Sequence, residues 1–182
     1  SKPAVAGLSL ATNMKKIDAI AFTRGPGLMG SLLVGSVAAR TLAWLSGKPL
    51  IGINHLEGHI MSVLPDNPGI KPPFVSLIVS GGHTELVLVK NFTKFKVMGK
   101  TRDDAAGECL DKAAKAMGLK YPGGPEIERL AKTGNPAAVK FPRPYMWPGW
   151  EFSFSGLKTA LIYYIRENSG YKKMIPDICA SF

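Results

Sequence analysis

Two of the three histidines in this 182-residue sequence, His55 and His59, lie four positions apart. On an α-helix this spacing places both imidazole rings on one face, about one turn apart. Two such rings can share one metal ion, which then needs at least one further ligand from elsewhere in the protein. The same spacing fits two ordinary histidines on the surface of a helix, so the residues alone leave both interpretations open.

The acidic residue beside this pair argues against a metalloprotease. In zinc-protease helices the glutamate that acts as general base directly follows the first histidine. Here Leu56 holds that position and Glu57 comes next, about 200° around the helix from His55. The Glu57 carboxylate is therefore directed away from a metal held by the two rings.

Residues 25–30, GPGLMG, match the dinucleotide-binding fingerprint between a predicted strand and a predicted helix. Two features disfavour this function. The following strand ends in Asn54, where an acidic residue would bind the ribose, and Pro26 removes one backbone N–H from the loop. We therefore interpret the segment as a tight turn between strand and helix.

Residues 80–84, SGGHT, lie between two β-rich runs and predict a hairpin whose two-residue turn is Gly81-Gly82. Because glycines have no side chain, a ligand can approach this backbone closely, and its N–H groups can bind a phosphate. A plain hairpin turn explains the same residues equally well.

Residues 103–118 predict a helix that ends at Gly118. Asp103 or Asp104 is expected as its N-cap. One stripe of the helix carries three carboxylates, namely Asp104, Glu108 and Asp111. A solvated face with lysine partners is the ordinary explanation, whereas the small residues at 105–107 indicate that something bulky lies against the first turns.

Residues 121–125, YPGGP, predict a tight turn that exposes the backbone of Gly123 and Gly124. Glu128 follows one turn into the next predicted helix. One glycine pair is weak evidence of a site. Two glycine pairs, a carboxylate-bearing helix and a histidine pair in one chain indicate more strongly that the protein binds a ligand.

The elements that must position these residues alternate between strands and helices. Strands are predicted at residues 18–23, 49–54, 74–89 (two strands) and 92–99, and helices at 31–47, 55–64, 103–118, 126–132 and from 157 onward. The strand–helix–strand order over residues 18–54 predicts a right-handed parallel crossover. The expected fold class is therefore α/β.

Composition narrows the class of protein further. Lys and Arg total 23 against 13 acidic residues, a formal net charge of +10, which suits a polyanionic partner such as a nucleic acid or nucleotide. Neither Cys109 nor Cys179 belongs to a Cys-x-x-Cys pair, which favours a reducing, cytosolic setting. The apolar stretch 27–45 is broken by two glycines and Arg40, so no membrane span is predicted.

The two ends of the chain lack the features of complete termini. Residues 1–16 have a helical pattern without an initiating Met, and the chain stops inside an apolar run, DICASF. We expect a piece of a longer protein.

Six motifs occur in order along the chain: TRGPGL, NHLEGHI, VSGGHTEL, DDAAGECLDKAAKAMGL, YPGGPEIE and FSFSGLKTAL. Together they resemble the TsaD family of threonylcarbamoyl transferases, formerly called O-sialoglycoprotein endopeptidases. The resemblance covers residues 18–182, and the GGHTEL and DICASF patterns are similar to those of bacterial members.

This resemblance implies part of an actin-like ATPase (ASKHA) fold, with mixed sheets and flanking helices. Residues 1–73 would be the end of a first lobe and residues 74–182 the start of a second, with a nucleotide in the cleft between them. The family's first phosphate strand is expected before Ser1. A nucleotide-contacting Asn and an Asp that completes the metal site are expected after Phe182, so this piece alone is expected to be inactive.

The resemblance also implies site residues. His55 and His59 match metal ligands for one Fe²⁺ or Zn²⁺ ion per subunit. Threonylcarbamoyl-AMP or ATP would contact Ile78, Val79, Ser80, Gly81, Gly82, Asp111, Gly124 and Glu128. No residue matches a catalytic nucleophile.

The implied activity is transfer of threonylcarbamate from threonylcarbamoyl-AMP to N6 of the adenosine next to the anticodon, in tRNAs that read ANN codons. The implied partners are tRNA and TsaB-like and TsaE-like helper proteins, in the cytoplasm and without a membrane. Three alternatives are an actin-like small-molecule kinase, a non-catalytic partner paralogue and, least favoured, a metalloprotease. A kinase would lack the histidine pair, and so would an inactive paralogue.

Overall fold

The computed structural model describes residues 14–182. The helical pattern predicted for the first residues therefore lies almost wholly outside the described part. The chain divides into two compact units, the first ending at Gly69 and the second beginning at Ile70. Both contain helices and small sheets, so the chain is a mixed α/β protein.

The first unit contains the predicted strand–helix–strand arrangement. Its elements are β1 (Ile20–Gly25), α1 (Met29–Ser46), β2 (Leu50–Asn54) and α2 (His55–Met61). The two strands pair in parallel, with Ile20 opposite Leu50. The predicted parallel pairing of two strands joined by a helix is confirmed, and α1 ends at Gly47 in the left-handed conformation expected of a C-cap.

The glycine loop between β1 and α1 is a tight turn. Gly25 and Gly27 have φ angles of 141° and 159°, values that residues with a Cβ atom rarely adopt. Backbone conformation thereby explains the first two glycines of the motif, in agreement with the predicted tight turn.

Helix α1 is long and apolar enough to cross a membrane, by length and composition only. A single helix of this kind is weak evidence, because core helices and signal sequences meet the same criterion. Its buried residues are Ala39 and Ala43, whereas Trp44 is 83% exposed.

The second unit opens with an antiparallel sheet of β3 (Phe74–Val79), β4 (Thr84–Asn91) and β5 (Lys94–Lys100), in that spatial order. The predicted two-residue turn is wrong. Val79 pairs with Thr84, so the loop spans the four residues 80–83.

Four helices follow the sheet: α3 (Ala106–Met117), α4 (Gly123–Ala131), α5 (Ser155–Glu167) and α6 (Ile175–Ser181). A two-stranded ribbon of β6 (Tyr145–Met146) and β7 (Glu151–Phe152) precedes α5. The helices enclose one apolar core, made of Cys109, Ala113, Ala114, Met117, Ile127, Phe141, Leu157, Leu161, Ile178 and Cys179.

Two predicted helix starts are wrong. Helix α3 begins at Ala106, and its N-cap residue Ala105 makes no side-chain hydrogen bond. The buried Thr84 hydroxyl caps the helix instead, accepting the Ala106 N–H at 2.9 Å. Helix α4 begins at Gly123, so the glycine pair lies inside the helix and not in a preceding turn. The predicted C-cap at Gly118 is confirmed by its left-handed conformation.

Candidate metal and nucleotide sites

The two imidazoles of the first unit converge. The Nε2 atoms of His55 and His59 are 3.1 Å apart, and the ring planes meet at 72° with centroids 4.4 Å apart. Both residues are exposed on α2.

This geometry fits a shared metal ion. With zinc–nitrogen bonds of about 2.0–2.1 Å, two ligands of a tetrahedral site lie about 3.3 Å apart, close to the 3.1 Å observed between the Nε2 atoms. Imidazole nitrogens suit iron as well as zinc. No group of three His, Cys, Asp or Glu residues that could hold a metal occurs within residues 14–182.

Asn54 positions the histidine helix. Its Oδ1 accepts the N–H of Leu56 at 2.9 Å and that of Glu57 at 3.3 Å, which satisfies the first free donors of α2. The same residue ends β2, so the strand determines where His55 lies. This capping role of Asn54 was not predicted from the sequence. An asparagine followed three residues later by glutamate is a helix-start signal that could have revealed its role.

A cavity of about 700 Å³ adjoins His55 in the first unit. Its walls are mostly apolar and come from β1, the glycine loop and α1. His55 is the single ionisable residue among its described lining. One imidazole of the pair therefore has an apolar surface beside it.

In the second unit, the loop at residues 80–83 is held against α3. The Ser80 N–H donates to the His83 carbonyl at 2.8 Å, while the His83 N–H donates to the Ser80 hydroxyl at 3.0 Å. In a two-residue turn the Ser80 carbonyl would accept the N–H of His83. Here it accepts the N–H of Gly107 at 3.2 Å. The contact with α3 thus explains why the loop has four residues.

Gly107 makes this close approach possible. A Cβ atom on Gly107 would lie 2.8 Å from the Ser80 oxygen and 2.9 Å from the Gly81 backbone. The bulky neighbour that the small residues at 105–107 indicated is therefore the loop at residues 80–83.

The tip of the loop offers unpaired donors. The N–H groups of Gly81 and Gly82 make no hydrogen bond within residues 14–182, and both glycines are exposed. A Cβ atom on either would meet nothing within 4 Å. Ile78 and Val79 end β3 in register with Glu85 and Thr84. Two adjacent exposed N–H groups can bind an anion such as a phosphate.

Asp111 connects α3 to α4. Its Oδ1 accepts the Gly123 N–H at 2.7 Å. A Cβ atom on Gly123 would lie 2.8 Å from the Asp111 Cα, whereas one on Gly124 would be in ordinary contact, 3.7 Å from Leu110. Packing therefore requires glycine at 123 and leaves space at 124.

The other predicted contact, Glu128, is exposed on α4. Its carboxylate lies 3.7 Å from the Lys132 amine, a surface pair that contributes little to stability. A second cavity of about 260 Å³ lies beside Asp111 and Gly123, with Tyr121 and three lysines in its lining.

Adjacent aspartates join the start of α3 to α5. Asp103 accepts the N–H groups of Phe154 and Ser155 at 2.8 and 3.2 Å. Burial alone would raise the pKa of Asp103. These two hydrogen bonds, together with one donated by the Ser153 hydroxyl, outweigh the effect of burial and lower the pKa. Asp104 binds two lysine amines, at 2.8 Å from Lys112 and 2.6 Å from Lys158.

Neither cysteine is available as a nucleophile. Cys109 and Cys179 are buried in the core of the second unit. Desolvation by burial raises the pKa of each thiol to about 11, so the reactive thiolate is scarce at neutral pH.

Comparison with known proteins identifies the family. The TsaD family, described as tRNA N6-adenosine threonylcarbamoyltransferase, matches residues 6–182. A protein of that name from Endomicrobium trichonymphae is 58% identical over 178 residues, which are 97% of this chain and 52% of that protein. A Clostridium kluyveri protein of the same name is 52% identical over 172 residues, 92% of this chain and 50% of its own length. The chain belongs to the TsaD family, and it spans about half the length of the curated relatives it matches.

The predicted site residues thus fall into two groups. His55 and His59 lie side by side in the first unit. The residues predicted to bind a nucleotide belong to the second unit, where the loop at 80–83 contacts α3 and Asp111 contacts the start of α4. The contact of Gly107 with the loop at residues 80–83 and the capping role of Thr84 were not predicted from the sequence.

Proposed function

We propose that the protein carrying this chain transfers a threonylcarbamoyl group from threonylcarbamoyl-AMP to N6 of the adenosine next to the anticodon, in tRNAs that read ANN codons. Family membership over residues 6–182 supports the activity. The observation that carries the proposal is the 3.1 Å approach of the His55 and His59 Nε2 atoms. A kinase of related fold has no need for such a pair.

His55 and His59 would hold one Fe²⁺ or Zn²⁺ ion through their Nε2 atoms, with further ligands from outside the described residues. When bound, such an ion supplies Lewis-acid polarisation of a carbonyl or phosphate oxygen. Asn54 contributes by fixing the start of the helix, because its side chain caps α2 at the residue before His55.

The remaining roles belong to the second unit. The exposed N–H groups of Gly81 and Gly82 would donate to the phosphate of the substrate and stabilise the charge of departing AMP. Ile78, Val79 and Ser80 would lie along the same group. Asp111 and Gly124 would contact the nucleotide, and Glu128 its ribose, whose hydroxyls are suitable donors to a carboxylate.

The reaction itself is a direct acyl transfer. A bond forms between N6 of the adenosine and the carbamoyl carbon, the bond from that carbon to the AMP oxygen breaks, and N6 loses one proton. Because both thiols are buried with raised pKa values, a covalent enzyme intermediate at cysteine is disfavoured.

We further propose the actin-like ATPase fold for the whole protein, with residues 1–73 in one lobe and 74–182 in the other. The net charge of +10 supports contact with tRNA. TsaB-like and TsaE-like helper proteins and a cytoplasmic location are part of the same proposal. Family membership disfavours the small-molecule kinase and metalloprotease alternatives.

The test is to incubate the whole protein and its helpers with threonylcarbamoyl-AMP and an ANN-reading tRNA. Nucleoside mass spectrometry should detect one threonylcarbamoyl group per tRNA, with release of one AMP. An ADP-producing reaction that phosphorylates a small molecule, with no change in the tRNA, would show that the kinase alternative is correct.

A further inference from the structure

The hairpin of β4 and β5 ends in a basic, aromatic tip, residues 90–96, with the sequence KNFTKFK. Lys90, Lys94 and Lys96 are exposed, and Phe92 at the turn is 55% exposed. None of the three lysines forms an ion pair within 4 Å among residues 14–182. The tip therefore combines free cationic side chains with one accessible aromatic ring.

Acidic residues accompany the basic ones at the base of the hairpin, whereas none lies opposite a lysine in the strand register at its tip. At the base, Lys100 lies opposite Glu85 in the strand register, and the Arg102 Nε donates to Glu151 at 2.7 Å. Between Glu85 and Arg102 the sequence contains no acidic residue. Towards the turn, Lys96 lies opposite Leu88 and Lys94 opposite Asn91.

The tip is held in a defined conformation. The Asn91 Oδ1 accepts both the N–H and the hydroxyl of Thr93, at 3.0 and 2.9 Å. Lys94 and Lys96, two positions apart on one strand, lie about 6.6 Å apart along it, comparable to the separation of successive phosphates along a nucleic-acid strand. The backbone of such a preformed turn loses little conformational entropy on binding.

We propose that the β4–β5 tip, residues 90–96, is an RNA contact surface: the three lysines bind backbone phosphates and Phe92 stacks on an unpaired base. Basic side chains that follow the backbone, together with an aromatic platform, are the features that bind single-stranded nucleic acid. This inference rests on the proposed function, which supplies tRNA as the RNA. It adds the part of the protein that tRNA contacts.

Lysines on the edge strand β5 have an alternative explanation, because charges on a sheet edge prevent pairing with other chains. The two explanations differ in what they require. Protection of the edge needs charge of either sign, whereas RNA binding needs positive charge. Reversal of the charge therefore separates them.

The experiment measures tRNA binding by three variants of the whole protein. Two of them carry the same change in net charge, and the third carries no change in charge. The first replaces Lys90, Lys94 and Lys96 by Glu; the control replaces three other exposed lysines, Lys140, Lys172 and Lys173, by Glu. The third, Phe92→Ala, leaves the charge unchanged. Circular dichroism and size-exclusion chromatography establish that each variant is folded and monodisperse.

We expect the first variant to bind tRNA at least about 10-fold more weakly, with the slope of log K against log salt reduced by about 2. The control should change affinity less than about 3-fold, and Phe92→Ala should reduce it at least about 5-fold. If the first variant misfolds, the neutral Lys→Gln triple variant gives the same comparison.

Equal losses in the first variant and the control would overturn the inference, since only total charge would then matter. Unchanged tRNA binding in the first variant and in Phe92→Ala would overturn it too, while normal transfer activity would leave the proposed function intact. If the parent protein bound no tRNA, both the inference and the proposed function would fail.

Discussion

The N–H of Gly107 donates to the carbonyl oxygen of Ser80 at 3.2 Å, and a Cβ atom at Gly107 would lie 2.8 Å from that oxygen. The first turn of α3 and the loop at residues 80–83 are therefore held together in the second unit. The exposed N–H groups of Gly81 and Gly82 belong to that loop.

We predict that Gly107→Ala displaces the loop. The added methyl group has only backbone atoms to push against, so it should lower the free energy of unfolding by about 1–3 kcal/mol. It should also weaken threonylcarbamoyl-AMP binding, measured by isothermal titration calorimetry. Gly82→Ala, which has open space for its Cβ, is the control for stability and should leave the unfolding free energy nearly unchanged. Equal stability of the two variants would contradict this account.

The two glycines at the start of α4 should respond unequally to substitution by alanine. Gly123→Ala should destabilise the protein by about 1–3 kcal/mol, because its Cβ would meet Ala114 at 2.6 Å and Asp111 at 2.8 Å. Gly124→Ala should destabilise it less, because its Cβ would be in ordinary contact with Leu110 and is opposed only by the ring of the following Pro125.

Denaturant unfolding measures both effects, and nucleotide titration gives a second readout. If Gly124 contacts the nucleotide, Gly124→Ala weakens nucleotide binding by more than its small effect on stability can explain. A Gly124→Ala variant with unchanged nucleotide affinity would remove Gly124 from the proposed site.

The free energy of unfolding should fall in acid because the adjacent aspartates, Asp103 and Asp104, become protonated. Burial would raise the pKa of Asp104, but hydrogen bonds from Lys112 and Lys158 outweigh it and lower the pKa below the usual value of 3.8. A carboxylate with a lowered folded-state pKa stabilises the protein above its unfolded-state pKa, and this stability is lost as the pH falls through the folded-state value. The loss therefore begins below about pH 4.

Asp104→Asn should lower the free energy of unfolding at pH 7 by about 2 kcal/mol, because the partly buried Lys158 loses its charged partner. It should also flatten the acid limb of the stability curve. Glu108→Gln is the matched control: its pair with Lys112 is exposed, so about 0.5 kcal/mol or less is expected. Thermal unfolding between pH 2.5 and 7 makes the comparison, and an unaltered acid limb in Asp104→Asn would refute it.

The sequence predicted local features well and tertiary contacts poorly. The parallel crossover, the position of the histidine helix and the caps at Gly47 and Gly118 follow from periodicity and glycine conformation, which depend on neighbouring residues. The four-residue loop could not be predicted, because Gly107, far along the chain, takes the Ser80 carbonyl. The start of α3 was misplaced for the same reason, since the cap comes from Thr84 and Asp103 binds the start of α5.

The most direct test of the central claim is metal content. The whole protein is loaded anaerobically with Fe²⁺ or with Zn²⁺. Elemental mass spectrometry should then find one ion per polypeptide. His55→Ala and His59→Ala should each bind the ion at least about 100-fold more weakly, whereas His83→Ala, which removes the third histidine from the other unit, should retain it. Full metal content in the His55→Ala/His59→Ala double variant would contradict the account.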